Sequence, residues 1–249
     1  MAQQGPPAAA WVLHRRSYRD TSLLVELLTQ ENGRIGAVAR GARQQRSRWR
    51  GRLEPFQPVL VNWLGRGELA TLTNAESSGR FLQFPGTRLA AAFYISELVL
   101  RLVRRGEPLP GVFLAYGDAL TNLAEDRLPE DGILRVFEKR LLDALGYGLL
   151  LEVTADDHEP VAAAGWYRYE LEYGPVAVTG SEHGLTVSGR TLLALAAEDV
   201  SETARARQET QRLMRAALRL YIGTRPLQSR AFYASLKRTR SANGKESDS

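Results

Sequence analysis

The chain contains no cysteine. That single absence excludes disulfides, thiolate zinc sites, iron–sulfur clusters and a cysteine nucleophile together. It fits a reducing compartment. Histidine is nearly absent too: His14, His158 and His183 are the only three, far apart in sequence. No apolar run approaches the roughly 20 residues that a membrane helix needs, so no membrane association is expected. The first ten residues lack a basic region followed by a long apolar stretch, so no secretory signal is read there. A cytoplasmic protein is expected.

Lysine is missing from residues 1–80, which nevertheless hold twelve arginines against six acids, a net charge of +6. The full chain of 249 residues carries only +5. The positive field therefore belongs to the N-terminal third, an asymmetry that points to nucleic acid. A hydrophobic fraction of 44% is enough for a sizeable core.

Residues 11–76 read as short strands. Trp11-Val12-Leu13 opens one, Leu23–Thr29 and Ile35–Ala39 follow, and Asn32-Gly33 between them is a hairpin signal. Val59–Trp63 and Glu68–Thr73 complete about five strands. Closure into a small barrel of OB-fold size removes exposed edges. After Phe84-Pro85-Gly86 the period becomes helical: Thr87 to Arg104, Val112 to Ala124, and a helix from Pro129 capped at Gly146. Trp166–Tyr173 alternates like a strand, and Val176–Val178 is placed to pair back. Ser188 caps a short helix, a longer one runs from Thr203 to Tyr221, and a last one covers Ser229 to Lys237. The expected class is α+β: a five-stranded OB-fold barrel over 1–80, then a mainly helical domain over 84–238 with a small β-insert near 149–184, and a disordered tail over 239–249.

The strongest functional signal is the run from Arg34 to Arg52. It holds Arg34, Arg40, Arg43, Arg46, Arg48, Arg50 and Arg52, with no acid between them. Guanidinium forks match phosphate oxygens and stack on bases. A flexible arginine loop on a barrel suits a phosphate backbone, whereas a merely solvated run of one sign repels itself. Trp49, set between arginines, is expected at the surface as a stacking platform. Trp63, in an apolar strand, is expected in the core, and Tyr18 fits either role. Arg66, in a hairpin turn, joins the candidate DNA contacts.

Catalytic signals are weak, and no enzyme is expected. His14 reads as a surface residue. Asp156-Asp157-His158-Glu159 has metal-type ligands, but four consecutive residues rarely share one ion, so a solvated acidic turn and no metal are expected. No phosphate-cradling glycine loop or dinucleotide fingerprint is present, and no cofactor is expected. Arg135, Lys139 and Arg140 flank apolar positions on the third helix. Ordinary amphipathic packing explains them from the pattern alone; a basic-edged groove for an acidic peptide tail is the alternative.

Several stretches in order resemble the RecO family of bacterial recombination mediators. They include Ser22-Leu23-Leu24 leading to Gly33-Arg34, Ala39-Arg40-Gly41-Ala42-Arg43, Leu53-Glu54-Pro55-Phe56 and Gly65-Arg66-Gly67-Glu68-Leu69. Ala92–Leu98, Arg135-Val136-Phe137-Glu138, Leu145-Gly146-Tyr147-Gly148, Ser188-Gly189 and Tyr221–Arg230 continue the series. The resemblance implies an OB-fold followed by a helical domain. It also implies binding of single- and double-stranded DNA, annealing of complementary strands, and help in loading RecA onto DNA coated by single-stranded-DNA-binding protein (SSB). RecR and the acidic SSB tail are the implied partners, with Arg135 a tail contact, and the bacterial nucleoid is the implied location. Many members carry a four-cysteine zinc site in the insert. Here none is possible, so a hydrophobic mini-core around Trp166, Tyr167 and Tyr169, or a looser insert, is expected instead. An RNA-binding OB protein and a DNA-modifying enzyme with acids assembled in space are the competing readings.

Overall fold

The computed structural model describes residues 6–65, 69–179, 184–199, 203–223 and 225–229. The barrel comprises β1 (Ala8–Tyr18), β2 (Ser22–Thr29), β3 (Gly33–Ala39), β4 (Pro58–Leu64) and β5 (Ala70–Ser77). It closes in the order β1-β2-β3-β5-β4, with β3 and β5 parallel and β4 returning to β1. This is the expected five-stranded OB-type barrel in an α+β chain.

The β2–β3 hairpin forms where Asn-Gly predicts it, with Thr29 opposite Gly33. Gly33 lies at φ 65°, and the Thr29 hydroxyl donates to its carbonyl at 2.7 Å. Only glycine fits, because an added Cβ would sit 2.0 Å from the Glu107 carbonyl oxygen. Inside the barrel, Val12, Val25, Leu27, Val59, Val61, Trp63 and Leu72 form one buried cluster. Alternation along the strands puts them there.

The chain falls into two compact units, Met1–Ala124 with Leu227–Ser249, and Glu125–Pro226. The first joins the barrel to α1 (Arg88–Leu102) and α2 (Pro110–Glu125). Thr87 occupies the N-cap position of α1 without a side-chain capping bond. Trp11 of β1 meets Tyr116 of α2 edge-on, with ring centroids 6.0 Å apart. Phe56 does the same to Phe93 of α1 at 4.9 Å. Glu26, buried on β2, is paired with Arg105 just beyond α1. Glu97 of α1 accepts from the backbone N–H groups of Gln228 and Ser229 and from the Ser229 hydroxyl, tying the 227–229 segment to the helix.

The second unit contains α3 (Glu130–Ala144), β6 (Trp166–Glu170), β7 (Gly174–Val178), β8 (Thr186–Ser188), α4 (Gly189–Ala196) and α5 (Ala204–Ile222). Gly146 follows α3 at φ 81°, and Ser188 accepts from Thr191 N–H to cap α4, both as the pattern predicts. β7 pairs back on β6, but the sheet gains β8 on the other edge. The cysteine-free insert is a packed one. Tyr167 and Tyr169 are buried with Leu151, Val161 and Val187, and the Tyr167 hydroxyl accepts from Ala162 N–H at 2.8 Å. Trp166 lies on the opposite face of β6 and is half-buried. Of the expected Ser229–Lys237 helix, residues from 230 onward lie outside the described residues, as does the tail over 239–249.

Candidate nucleic-acid interface

The segment between β3 and β4 covers one end of the barrel. Trp49 and Leu53 enter the same buried cluster as the barrel interior, and Trp49 is only 4% exposed. This corrects the expectation that Trp49 is a surface platform. A five-stranded barrel has an open end to fill, and an indole fills it once its N–H finds a partner. That partner is the Arg40 carbonyl, 2.9 Å from Trp49 Nε1. Trp63 is buried, as expected from its apolar strand.

Around the plug the chain makes successive tight turns. Gln44 N–H donates to Gly41 O, Ser47 N–H to Gln44 O, Arg50 N–H to Ser47 O and Arg52 N–H to Trp49 O. The segment is therefore a folded lid, which corrects the expected flexible loop. The β1–β2 turn is bound to it. Arg43 N–H donates to Thr21 O at 2.8 Å, and Arg43 Nη1 reaches Asp20 O at 3.2 Å and Arg19 O at 3.3 Å.

With the indole turned inward, the arginines are turned outward. Arg40, Arg43, Arg46, Arg48, Arg50 and Arg52 are all exposed, and so are Arg16 and Arg19 beside them. The Arg48 guanidinium lies 4.4 Å above the Trp49 ring, and Arg52 Nη1 donates to Ala75 O at 3.2 Å. Of the nearby acids, Glu54 is paired with Arg15. The lid thus presents closely spaced cations on a fixed backbone, suited to a phosphate chain.

Arg34 differs from the rest of its run. It sits at the far end of β3, half-buried, and its Nη1 donates to Leu100 O at 2.5 Å. Burial pulls it below the ordinary arginine value, the Arg105 charge adds to this, and Glu26 opposes it. Arg34 holds α1 to the barrel. Arg66 lies outside the described residues.

On α3, Arg135 pairs with the fully buried Glu138 at 2.7 Å. Lys139 pairs with Asp143 and Glu198, and Arg140 with Glu198 at 2.5 Å. The Arg140 and Lys139 contacts hold the Glu198 carboxyl below the usual carboxylate range against the effect of burial. Arg135 also lines a cavity of about 350 Å³ with Val136, Leu195 and Arg207 and with the acids Asp131, Glu198 and Asp199. Sequence reasoning missed Glu198 as a partner because it is 58 residues from Arg140.

His14 is exposed, as expected. Asp156, Asp157, His158 and Glu159 form an exposed turn. Among the described residues, no three histidine or acidic side chains come together as metal ligands. No described helix is long and apolar enough to cross a membrane.

Two family models match the chain: Recombination protein O N terminal over residues 7–81 and Recombination protein O C terminal over residues 84–231. The chain belongs to the RecO family. It is 54% identical to the DNA repair protein RecO of Alkalilimnicola ehrlichii, over 92% of this chain and 91% of that one. The RecO of Halorhodospira halophila is 48% identical over 94% of this chain and 98% of its own. That of Nitrosococcus oceani is 43% identical over 95% and 96%. Membership of RecO places the chain in DNA repair and recombination.

Proposed function

We propose that this chain acts by binding DNA without cutting or modifying it. It binds single and double strands, anneals complementary single strands, and helps load RecA onto SSB-coated DNA. The observation that carries this reading is the arginine lid, six exposed guanidinium groups anchored over the barrel end by Trp49. Cations on a rigid support neutralise strand charge, which lowers the repulsion between two strands and lets their bases pair. RecR and the acidic SSB tail are the partners in this reading. The tail rests on the family membership rather than on the charge of the cavity beside Arg135, where Arg135 and Arg207 are set among Asp131, Glu198 and Asp199. Work at the nucleoid follows from DNA binding. An RNA-binding role is not favoured, because the relatives are DNA repair proteins.

The test is annealing of complementary oligonucleotides coated with SSB, with and without the protein. Faster annealing supports the reading. Unchanged annealing, or an equal preference for RNA in competition, contradicts it.

A further inference from the structure

Outside the lid, the described structure has a second concentration of positive charge, and it lies in the other compact unit. Helix α5 carries five arginines and a single acid, Glu209. That acid is turned inward. It is buried, and its carboxylate accepts from Ser188 N–H at 2.9 Å, from the Ser188 and Thr191 hydroxyls at 2.8 Å, and from Arg205 Nε at 3.0 Å. Glu209 therefore secures the start of α4, and of the outward arginines it offsets Arg205 alone.

The outer face is a row. Arg205, Arg212, Arg215 and Arg219 recur at helical spacing and are all exposed. At about 1.5 Å per residue the row runs roughly 21 Å. Arg207 is not part of it, lining the α3 cavity instead. At the start of the row an aromatic ring joins in: the Arg205 guanidinium lies 4.5 Å over Trp166, which is half-buried on the outer face of the small sheet. Arg212 Nη2 reaches the Thr186 carbonyl of that sheet at 3.3 Å, which fixes one member of the row. On the same side of β6, Arg168 is matched by Glu170 at 2.8 Å and adds no net charge.

We propose that this face of α5, with Trp166 at its head, is a second nucleic-acid surface that takes the phosphate backbone of a single strand. A row of guanidinium groups along one helix face, ending on an aromatic ring, fits a polyanion whose units carry a phosphate and a stackable base. An acidic peptide would need apolar contacts along the row, and between Arg212 and Arg219 the apolar side chains of Leu213, Met214, Ala217 and Leu218 are buried. The consequence for annealing is direct. A chain with one surface on the barrel lid and another on α5 holds two strands at once. This inference rests on the lid being a DNA surface.

The test is capture of a second strand. Full-length protein is bound to immobilised oligothymidylate, and dye-labelled oligothymidylate is then offered in solution. The strands cannot pair, so retained dye reports two occupied surfaces. Arg215→Glu/Arg219→Glu touches no described internal hydrogen bond and should fold as the wild type, as circular dichroism and thermal midpoint will show. It should lower second-strand capture at least about tenfold while first-strand affinity falls less than about threefold, since the lid phosphate contacts remain. Arg215→Gln/Arg219→Gln should fall between. Undiminished capture by the Glu variant overturns the proposal, including the case where two copies bridge strands through their lids. A wild type that holds the first strand but captures no second overturns the α5 surface alone. A wild type that holds no first strand overturns the lid reading and this one together.

Discussion

The indole N–H of Trp49 donates to the carbonyl oxygen of Arg40 at 2.9 Å, joining the middle of the arginine lid to its first residue. One hydrogen bond thereby closes a ten-residue segment over the barrel end, and the ring below it belongs to the barrel core. Lid and core are one cooperative structure, so DNA affinity and stability should be separable by choosing which face of the lid is changed.

Trp49→Ala removes a buried ring and should cost about 3–5 kcal/mol. Trp49→Phe keeps most of the packing and should cost on the order of 1 kcal/mol beyond the volume change, through the lost Nε1 bond. Urea titration checks both. A Trp49→Ala variant as stable as the wild type would show that the ring is not a plug.

Two glycines at positive φ should respond differently to alanine. Gly33→Ala brings a Cβ against the Glu107 carbonyl as well as straining the backbone, whereas Gly51, at φ 72°, has open space around it. Gly51→Ala should cost about 1 kcal/mol, from conformation alone, and Gly33→Ala distinctly more. Equal thermal midpoints for the two variants would contradict the close approach at Gly33.

Breaking the Arg135–Glu138 pair should destabilise the chain, because Glu138 is fully buried. Arg135→Ala is expected to lose about 3 kcal/mol, a value typical of a buried ion pair stripped of one partner. Loss of SSB-tail binding by this variant must therefore be read against its urea midpoint. Arg207→Ala, on the same cavity, is the informative comparison because no ion pair is described for it. Tail affinity unchanged in Arg207→Ala would argue against that cavity.

Acid should loosen the second unit. Glu209 is buried, which by itself raises its carboxyl, but the bonds from Ser188, Thr191 and Arg205 outweigh this and hold it below the usual value. A depressed folded value means that the ionised form stabilises the fold. Its contribution is complete above the unfolded value of about 4.3 and is lost as pH falls through the lower, folded one. Urea midpoints measured downward from about pH 6 should therefore drop in the acid range. Glu209→Gln should start lower and fall less steeply. Parallel curves would show that Glu209 does not contribute to the slope.

Much of this was legible from residue order, and the exceptions share a cause. Asn32-Gly33 and Ser188 act through neighbours two or three residues away, so local chemistry was sufficient to place the hairpin and the cap. The apolar strand runs around Leu27 and Val61 were equally readable. Trp49 was not, since its sequence neighbours are arginines while its spatial neighbours are barrel residues such as Val12 and Leu72. Arg34 looked like the first member of the basic run, yet β3 aims it at α1 and the lid arginines lie beyond the other end of the strand. β8 spans three residues, too few for a period to show. The row on α5 was hidden by averaging, because scattered acids elsewhere bring residues beyond 80 close to neutrality.

The central claim, that the outward arginines of the lid carry DNA affinity, is tested most directly by Arg46→Glu/Arg48→Glu/Arg50→Glu. Fluorescence anisotropy on single-stranded DNA over a salt series gives the affinity and its log–log slope. The wild-type slope should be about −3 to −5, and losing three phosphate contacts should bring it about 2 closer to zero, at about 0.7 per contact on a single strand. Affinity at low salt should fall strongly, with the urea midpoint close to that of the wild type. An unchanged affinity and slope in a folded variant would contradict the account.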